Sequence, residues 1–229
     1  MSLYLIIELT SLSVPFILSF DKKVAFYKHW KFLLPAILIS ALFFISVDIW
    51  FTEMGVWGFN PKYHSSIMFA GLPLEEILFF IIIPYCSIFI HYVFMEYFPE
   101  TYLKYKSTLY TSFLLIFILL IITIFNLNKT YTAFYSAFSI VIIILTMWFR
   151  PAILSRFYLS FLIILVPFFI VNGILTGSFI EDEVVWYNAN EITGFRIFTV
   201  PAEDLVYGFS MILLSLLIMN IFRKSPEKA

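Results

Sequence analysis

Long apolar blocks dominate this chain, and the polar stretches between them are short, as at Asp21-Lys22-Lys23, Asn60-Pro61-Lys62, Asn126 to Lys129 and Arg150-Pro151. A bilayer hydrocarbon core of about 30 Å is crossed by about 20 apolar residues of helix. Seven blocks meet that length, near residues 2–20, 31–52, 67–95, 107–126, 131–149, 157–176 and 197–222. The third and the last have residues to spare, so they tilt or begin outside the hydrocarbon. The expected fold class is an all-α integral membrane protein with seven transmembrane helices.

Composition agrees. The chain is 62% hydrophobic and 13% charged, outside the balance of soluble domains. The blocks consume nearly all of its 229 residues, so residues 1–229 read as a single membrane domain. A formal charge of −1 argues against a nucleic-acid partner, and the sole cysteine, Cys86, cannot form an intrachain disulfide. No Lys or Arg precedes the first block and no small-residue cleavage pattern follows it, so it reads as a retained helix rather than a signal peptide. Basic residues favour cytoplasmic loops. Lys22, Lys23, Lys28, Lys31, Lys104, Lys106, Arg150, Arg156, Arg223, Lys224 and Lys228 fall on one side, and only Lys62, Lys129 and Arg196 on the other. This predicts an outside N-terminus and a cytoplasmic C-terminus, with the plasma (inner) membrane as the expected location.

The polar positions inside the blocks follow a second pattern. Pro73-Leu74-Glu75-Glu76, at the start of one block, is matched by Pro201-Ala202-Glu203-Asp204 at the start of another. At the same distance before each proline an Asn stands beside aromatic residues, Asn60 after Trp57-Gly58-Phe59 and Asn188 after Trp186-Tyr187. This predicts a duplicated chain: repeat A over about 1–100, a linking helix over about 107–126 and repeat B over about 131–224. Three helices alone would invert the second copy, and the linking helix restores its direction, so the repeats are expected to be parallel about an axis along the membrane normal. Asp48 and Asn172 occupy corresponding places near the ends of the second and sixth blocks.

Six acids lie within the blocks: Glu8, Asp48, Glu75, Glu76, Glu203 and Asp204. An ionised residue in lipid costs about 2.5 to 3.5 kcal/mol even on insertion scales, so these acids should line a protected interior pocket or pair with one another. Only Arg196 offers a nearby positive charge. Repulsion and desolvation should keep some of the carboxyls in the neutral acid form, available as proton donors. The aromatic residues Trp50, Phe51, Trp57, Phe59, Phe79, Phe80, Trp186, Tyr187 and Tyr207 can turn π faces toward a cation. An acid beside π faces suits carbocation chemistry. Two structural readings compete: the prolines mark helix starts whose acids face water, and Trp57 and Trp186 belong to an interfacial aromatic belt.

Other chemistries fit less well. His29, His64 and His91 share no ligand spacing, and neither a dinucleotide fingerprint, a phosphate loop nor an Asp-rich diphosphate motif is present, so no metal and no cofactor is expected. Every Lys lies in a loop or tail, which excludes a retinal Schiff base. A proton-coupled transporter would also bury acids, but it needs a polar path to both faces, and the inner halves of the blocks hold few ionisable groups beyond His91. A non-catalytic polyisoprenoid-binding protein would not need two acidic pairs.

The two acidic motifs, Val171-Asn172-Gly173-Ile174-Leu175-Thr176, and Trp186-Tyr187-Asn188 ahead of Gly194-Phe195-Arg196 together resemble the membrane-integral, non-flavin lycopene cyclase family, in its fused two-repeat form. The resemblance covers essentially the whole chain. It implies conversion of the acyclic ψ-ends of lycopene to β-ionone rings, through γ-carotene to β-carotene, as a redox-neutral isomerisation without flavin. The substrate would be dissolved in membrane lipid, and association with other carotenoid-pathway enzymes or with further copies of the chain is compatible with it. The expected catalytic set is one shared cluster of Glu75, Glu76, Glu203 and Asp204, with one of the first pair or Glu203 as proton donor. Asp48, Asn60, Asn172, Asn188 and Arg196 would position or tune it, and Trp57, Phe79, Trp186, Tyr187 and Tyr207 would shape the pocket.

Overall fold

In a computed structural model that describes residues 1–223, every long apolar block is a helix. Lys224 and Lys228, and the last residue assigned to repeat B, lie outside the described residues. In chain order the elements are α1 (Leu3–Leu18), a short 3-10 turn (Phe26–His29), α2 (Trp30–Glu53), β1 (Trp57–Phe59), β2 (Met68–Phe69), β3 (Leu72–Pro73), α3 (Leu74–Tyr97), α4 (Tyr105–Phe125), α5 (Thr130–Phe149), α6 (Pro151–Leu175), β4 (Val185–Tyr187), β5 (Arg196–Ile197), β6 (Val200–Pro201) and α7 (Ala202–Phe222). The fold is all-α. The six helices α2 to α7 are long and apolar enough to cross a bilayer, whereas α1 has 16 residues and is shorter. The chain is an integral membrane protein.

Lipid offers no hydrogen-bond partners, so a helix that satisfies its own backbone is the favoured form for these blocks. Many of their hydroxyls obey the same demand. Ser11, Ser46, Thr123, Thr146 and Ser215 each donate to the carbonyl one turn earlier in their own helix. Small buried residues, among them Ala36, Ser40 and Ala41 of α2, Ser136 and Ser139 of α5 and Gly208 and Ser210 of α7, let the helices approach closely, which is how packing replaces the hydrophobic effect inside a membrane. Helices α3 and α7 are the most buried and α4 the least. Helices α2 and α5 pack on α7, α1 packs on α3, and α6 packs on α3 and more lightly on α7.

Three boundaries depart from the hydropathy reading. Helix α3 starts at Leu74 rather than near 67, and α7 at Ala202 rather than near 197, because the preceding residues form hairpins that pair Met68 with Pro73 and Arg196 with Pro201. The first hairpin turns through Ala70 and Gly71 at φ +49° and +83°, the left-handed pair that a two-residue turn needs. Helix α6 begins at Pro151 rather than near 157, with the proline in its first turn, where a missing N–H costs nothing.

All these loops gather at the end that carries the N-terminus of α1, and their hydrogen bonds recur at the spacing of the acidic motifs. Strands β1 and β4 pair antiparallel, with Gly58 opposite Trp186. The Asn60 N–H donates to the Val184 carbonyl at 2.8 Å, and the Asn188 N–H donates to the Val56 carbonyl at 2.9 Å. Each Asn side chain also accepts from a backbone N–H just beyond it, at Lys62 and Asn190 respectively. These are Asx turns that close the ends of the β1–β4 pair. Gly58 is dictated by its neighbour, since a Cβ there would run into the Trp186 indole.

Candidate active site

Pro73 and Pro201 are the N-caps of α3 and α7, so both acidic pairs occupy a first helical turn, where the helix dipole favours negative charge. Within each pair the two carboxyls go separate ways. Glu75 accepts from the Ser65 N–H at 2.7 Å, from the Ser65 hydroxyl at 3.0 Å and from the Ser2 hydroxyl. Glu203 accepts from the Thr193 N–H at 2.6 Å and from the Thr132 hydroxyl at 2.7 Å. Both tie the start of a helix to the loop that leads into it.

Glu76 and Asp204 turn inward. Both line one cavity of about 360 Å³ formed mainly by α1, α3, α6 and α7. Glu76 accepts from the Tyr4 hydroxyl at 2.7 Å, and Asp204 accepts from Tyr131 at 2.7 Å and from Tyr187 at 3.0 Å. Burial first, and then the neighbouring Asp204, push the Tyr187 phenol well above its ordinary value, which keeps it a hydrogen-bond donor. Trp57, Phe59, Phe79, Tyr207 and Asn172 complete this end of the cavity, and Tyr131 stacks on Tyr187 at 5.9 Å between ring centres. Behind this layer Asp48 accepts from the Trp57 indole N–H, while its second oxygen, both carboxyl oxygens of Glu8 and the Tyr135 hydroxyl are buried with no hydrogen-bond partner among the described residues.

The expected cluster of four is thus divided. Glu203 lines a separate, smaller cavity of about 240 Å³ with Asn126, Thr132 and Thr193, and Glu75 lines neither. The physical reason is the helical turn itself: successive residues point about 100° apart, so one acid of each pair faces the loops when the other faces the bundle. Asn60 and Asn188 are turn residues outside the cavity, and Trp186 is a half-exposed cover over Gly58 rather than a wall of it. Arg196 is exposed, donates to the Thr199 carbonyl and lies 5.7 Å from the Tyr187 ring centre, at the edge of the site rather than in its lining. Beyond the cavity, Lys62 pairs with Glu181, which raises the lysine and lowers the carboxyl from their ordinary values and fastens the two outer loops. Hydropathy and motif spacing do not single out Tyr4 and Tyr131, although these two, near the starts of α1 and α5, are separated by almost the same length of chain as the acids they serve. Among the described residues no three His, Cys, Asp or Glu side chains converge as a metal site.

The fold and this layer define a class: an integral membrane protein whose apolar cavity is closed at one end by carboxyls, phenols and an indole. Comparison with known families gives the next step. A sequence model of the lycopene cyclase family matches residues 1–94 and 128–222, and the chain belongs to that family. Membership carries carotenoid cyclase activity in its general form and a lipophilic carotenoid as substrate. Neither the curated proteins nor the solved structures yield a match.

Proposed function

We propose that this protein closes the acyclic ψ-ends of lycopene into β-ionone rings, giving γ-carotene and then β-carotene, by a proton-initiated, redox-neutral cyclisation. The observation that carries this reading is that Glu76 and Asp204 line one end of the same, mostly apolar cavity. A carboxylic acid adds its proton to the terminal double bond, the neighbouring alkene attacks the tertiary cation, and a carboxylate removes a ring proton to leave the new double bond. No external oxidant or reductant is needed. The hydrogen bonds support a division of roles. Asp204 accepts from two phenols, the donor set a carboxylate needs when it is charged away from water, and it is assigned as the base. Glu76 has one phenol donor and stands beside Asp204, and it is assigned as the acid. Trp57, Tyr131, Tyr187, Tyr207 and Phe79 line the same end of the cavity and supply the aromatic surface that would stabilise the cation.

The recurrence of loop hydrogen bonds at the spacing of the acidic motifs supports two parallel repeats flanking α4. The division of basic residues supports an outside N-terminus in the plasma membrane, with the acid layer in its outer half. Repeat B would supply the base and repeat A the acid, so one composite site serves both copies. The test is expression in cells that accumulate lycopene, followed by pigment chromatography. Monocyclic and bicyclic products are expected; unchanged lycopene beside well-inserted protein would overturn the assignment for this substrate.

A further inference from the structure

The cavity does not stop at the acid layer. Its lining continues along α3 from Glu76 to Ile90, about 21 Å of helix, with Cys86 on the way. Ser11 and Val14 of α1 flank it on one side and Pro167 and Phe168 of α6 on the other. Val14 is 59% exposed on the surface that faces lipid, so the arm meets the bilayer between α1 and α6. Each of these helices packs on α3, and α1 and α6 make little contact with each other.

The chemistry of this arm differs from that of the acid end. The Ser11 hydroxyl donates to the Ile7 carbonyl, and the Cys86 thiol points at the Ser11 carbonyl, which Pro15 leaves without its usual helical donor. Among the described residues, no unpartnered buried side-chain polar atom lies along the arm. Apart from the hydroxyls of Thr10 and Ser87 its lining is apolar, so what it offers a ligand is chiefly van der Waals contact along a hydrocarbon.

We propose that this arm is both the lateral portal and the berth of the polyene chain, which slides in from the membrane between α1 and α6 with one end at Glu76 and Asp204 and its remainder past Cys86. The proposal rests on the cyclase reading for the identity of the ligand. It extends that reading to the direction of entry and to residues that set how much chain is held. With acids at one end only, the protein treats one ψ-end at a time. A bicyclic product then requires the monocyclic intermediate to leave into the bilayer and return end for end.

The experiment uses the full chain in lipid vesicles loaded with lycopene, and reads binding from the carotenoid absorption band and turnover from chromatography. Cys86→Trp fills the arm about 15 Å along α3 from Glu76, and Val14→Trp narrows its mouth at an exposed position that tolerates bulk. Both should weaken lycopene binding by at least about tenfold, the scale set by misfitting a methylene or two in an apolar pocket. Leu42→Trp, on the exposed lipid face of α2, should bind as the unaltered protein does. The same losses should appear in a Glu76→Gln background, where binding is read without turnover. Unchanged binding in Val14→Trp and Cys86→Trp would overturn the portal. Normal binding by the unaltered protein without any ring formation would instead defeat the cyclase reading and leave the portal standing.

Discussion

Glu75 and Glu76 are chain neighbours, as are Glu203 and Asp204, and all four are buried in the first turn of a helix. In each pair the first carboxyl is occupied by a loop N–H and by one or two hydroxyls, while the second lines the large cavity and accepts from phenols alone. The difference teaches that a repeated acidic motif need not be repeated chemistry. The outward acid fastens the helix start to the loop that leads into it, and the inward acid faces the cavity.

Substitutions separate the two roles. The largest effect is expected at the inward pair: Glu76→Gln or Asp204→Asn should lower turnover by at least about 100-fold, the scale of general acid–base catalysis, with thermal unfolding in detergent little changed. The double variant should be hardly worse than either single one, since acid and base act as a unit. Tyr187→Phe removes one of the two donors to Asp204 and should slow turnover by about tenfold, in line with one hydrogen bond to a charged group, with binding of lycopene retained. Glu75→Ala and Glu203→Ala should behave in the opposite sense, losing about 1–3 kcal/mol of stability in detergent melts through the unsatisfied Ser65 N–H and the buried Thr132 hydroxyl, and keeping turnover per folded protein within a few-fold. The smallest effect belongs to Asn60→Ala, which should cost about 1 kcal/mol by opening an Asx turn, with Asn188→Ala costing somewhat more because its side chain also donates to the Gly55 carbonyl at 3.2 Å.

Much of this architecture is legible in the residues. Hydropathy places the helices, and the spacing of the acids locates the end of the bundle at which they gather. Hydropathy overruns the starts of α3 and α7 because Ile67-Met68-Phe69 and Ile197-Phe198 are as apolar as a span, and only the left-handed Ala70, Gly71 and Phe198 reveal the hairpins. It cannot divide the acid pairs, because composition counts carboxyls without saying which face of the first turn each takes. Tyr4 and Tyr131 stay hidden for a related reason: aromatic residues near a membrane boundary are common, and what distinguishes these two is their hydrogen bonds to Glu76 and Asp204.

The central claim is tested most directly by placing Glu75→Gln and Glu76→Gln side by side in lycopene-accumulating cells, with the membrane content of each protein matched and the pigments separated by chromatography. Adjacent residues and the same chemical change leave the direction of the side chain as the variable. Ringed carotenoids from Glu75→Gln and lycopene alone from Glu76→Gln are the predicted result; rings from Glu76→Gln in equal amount, or their loss from both at matched protein, would contradict it.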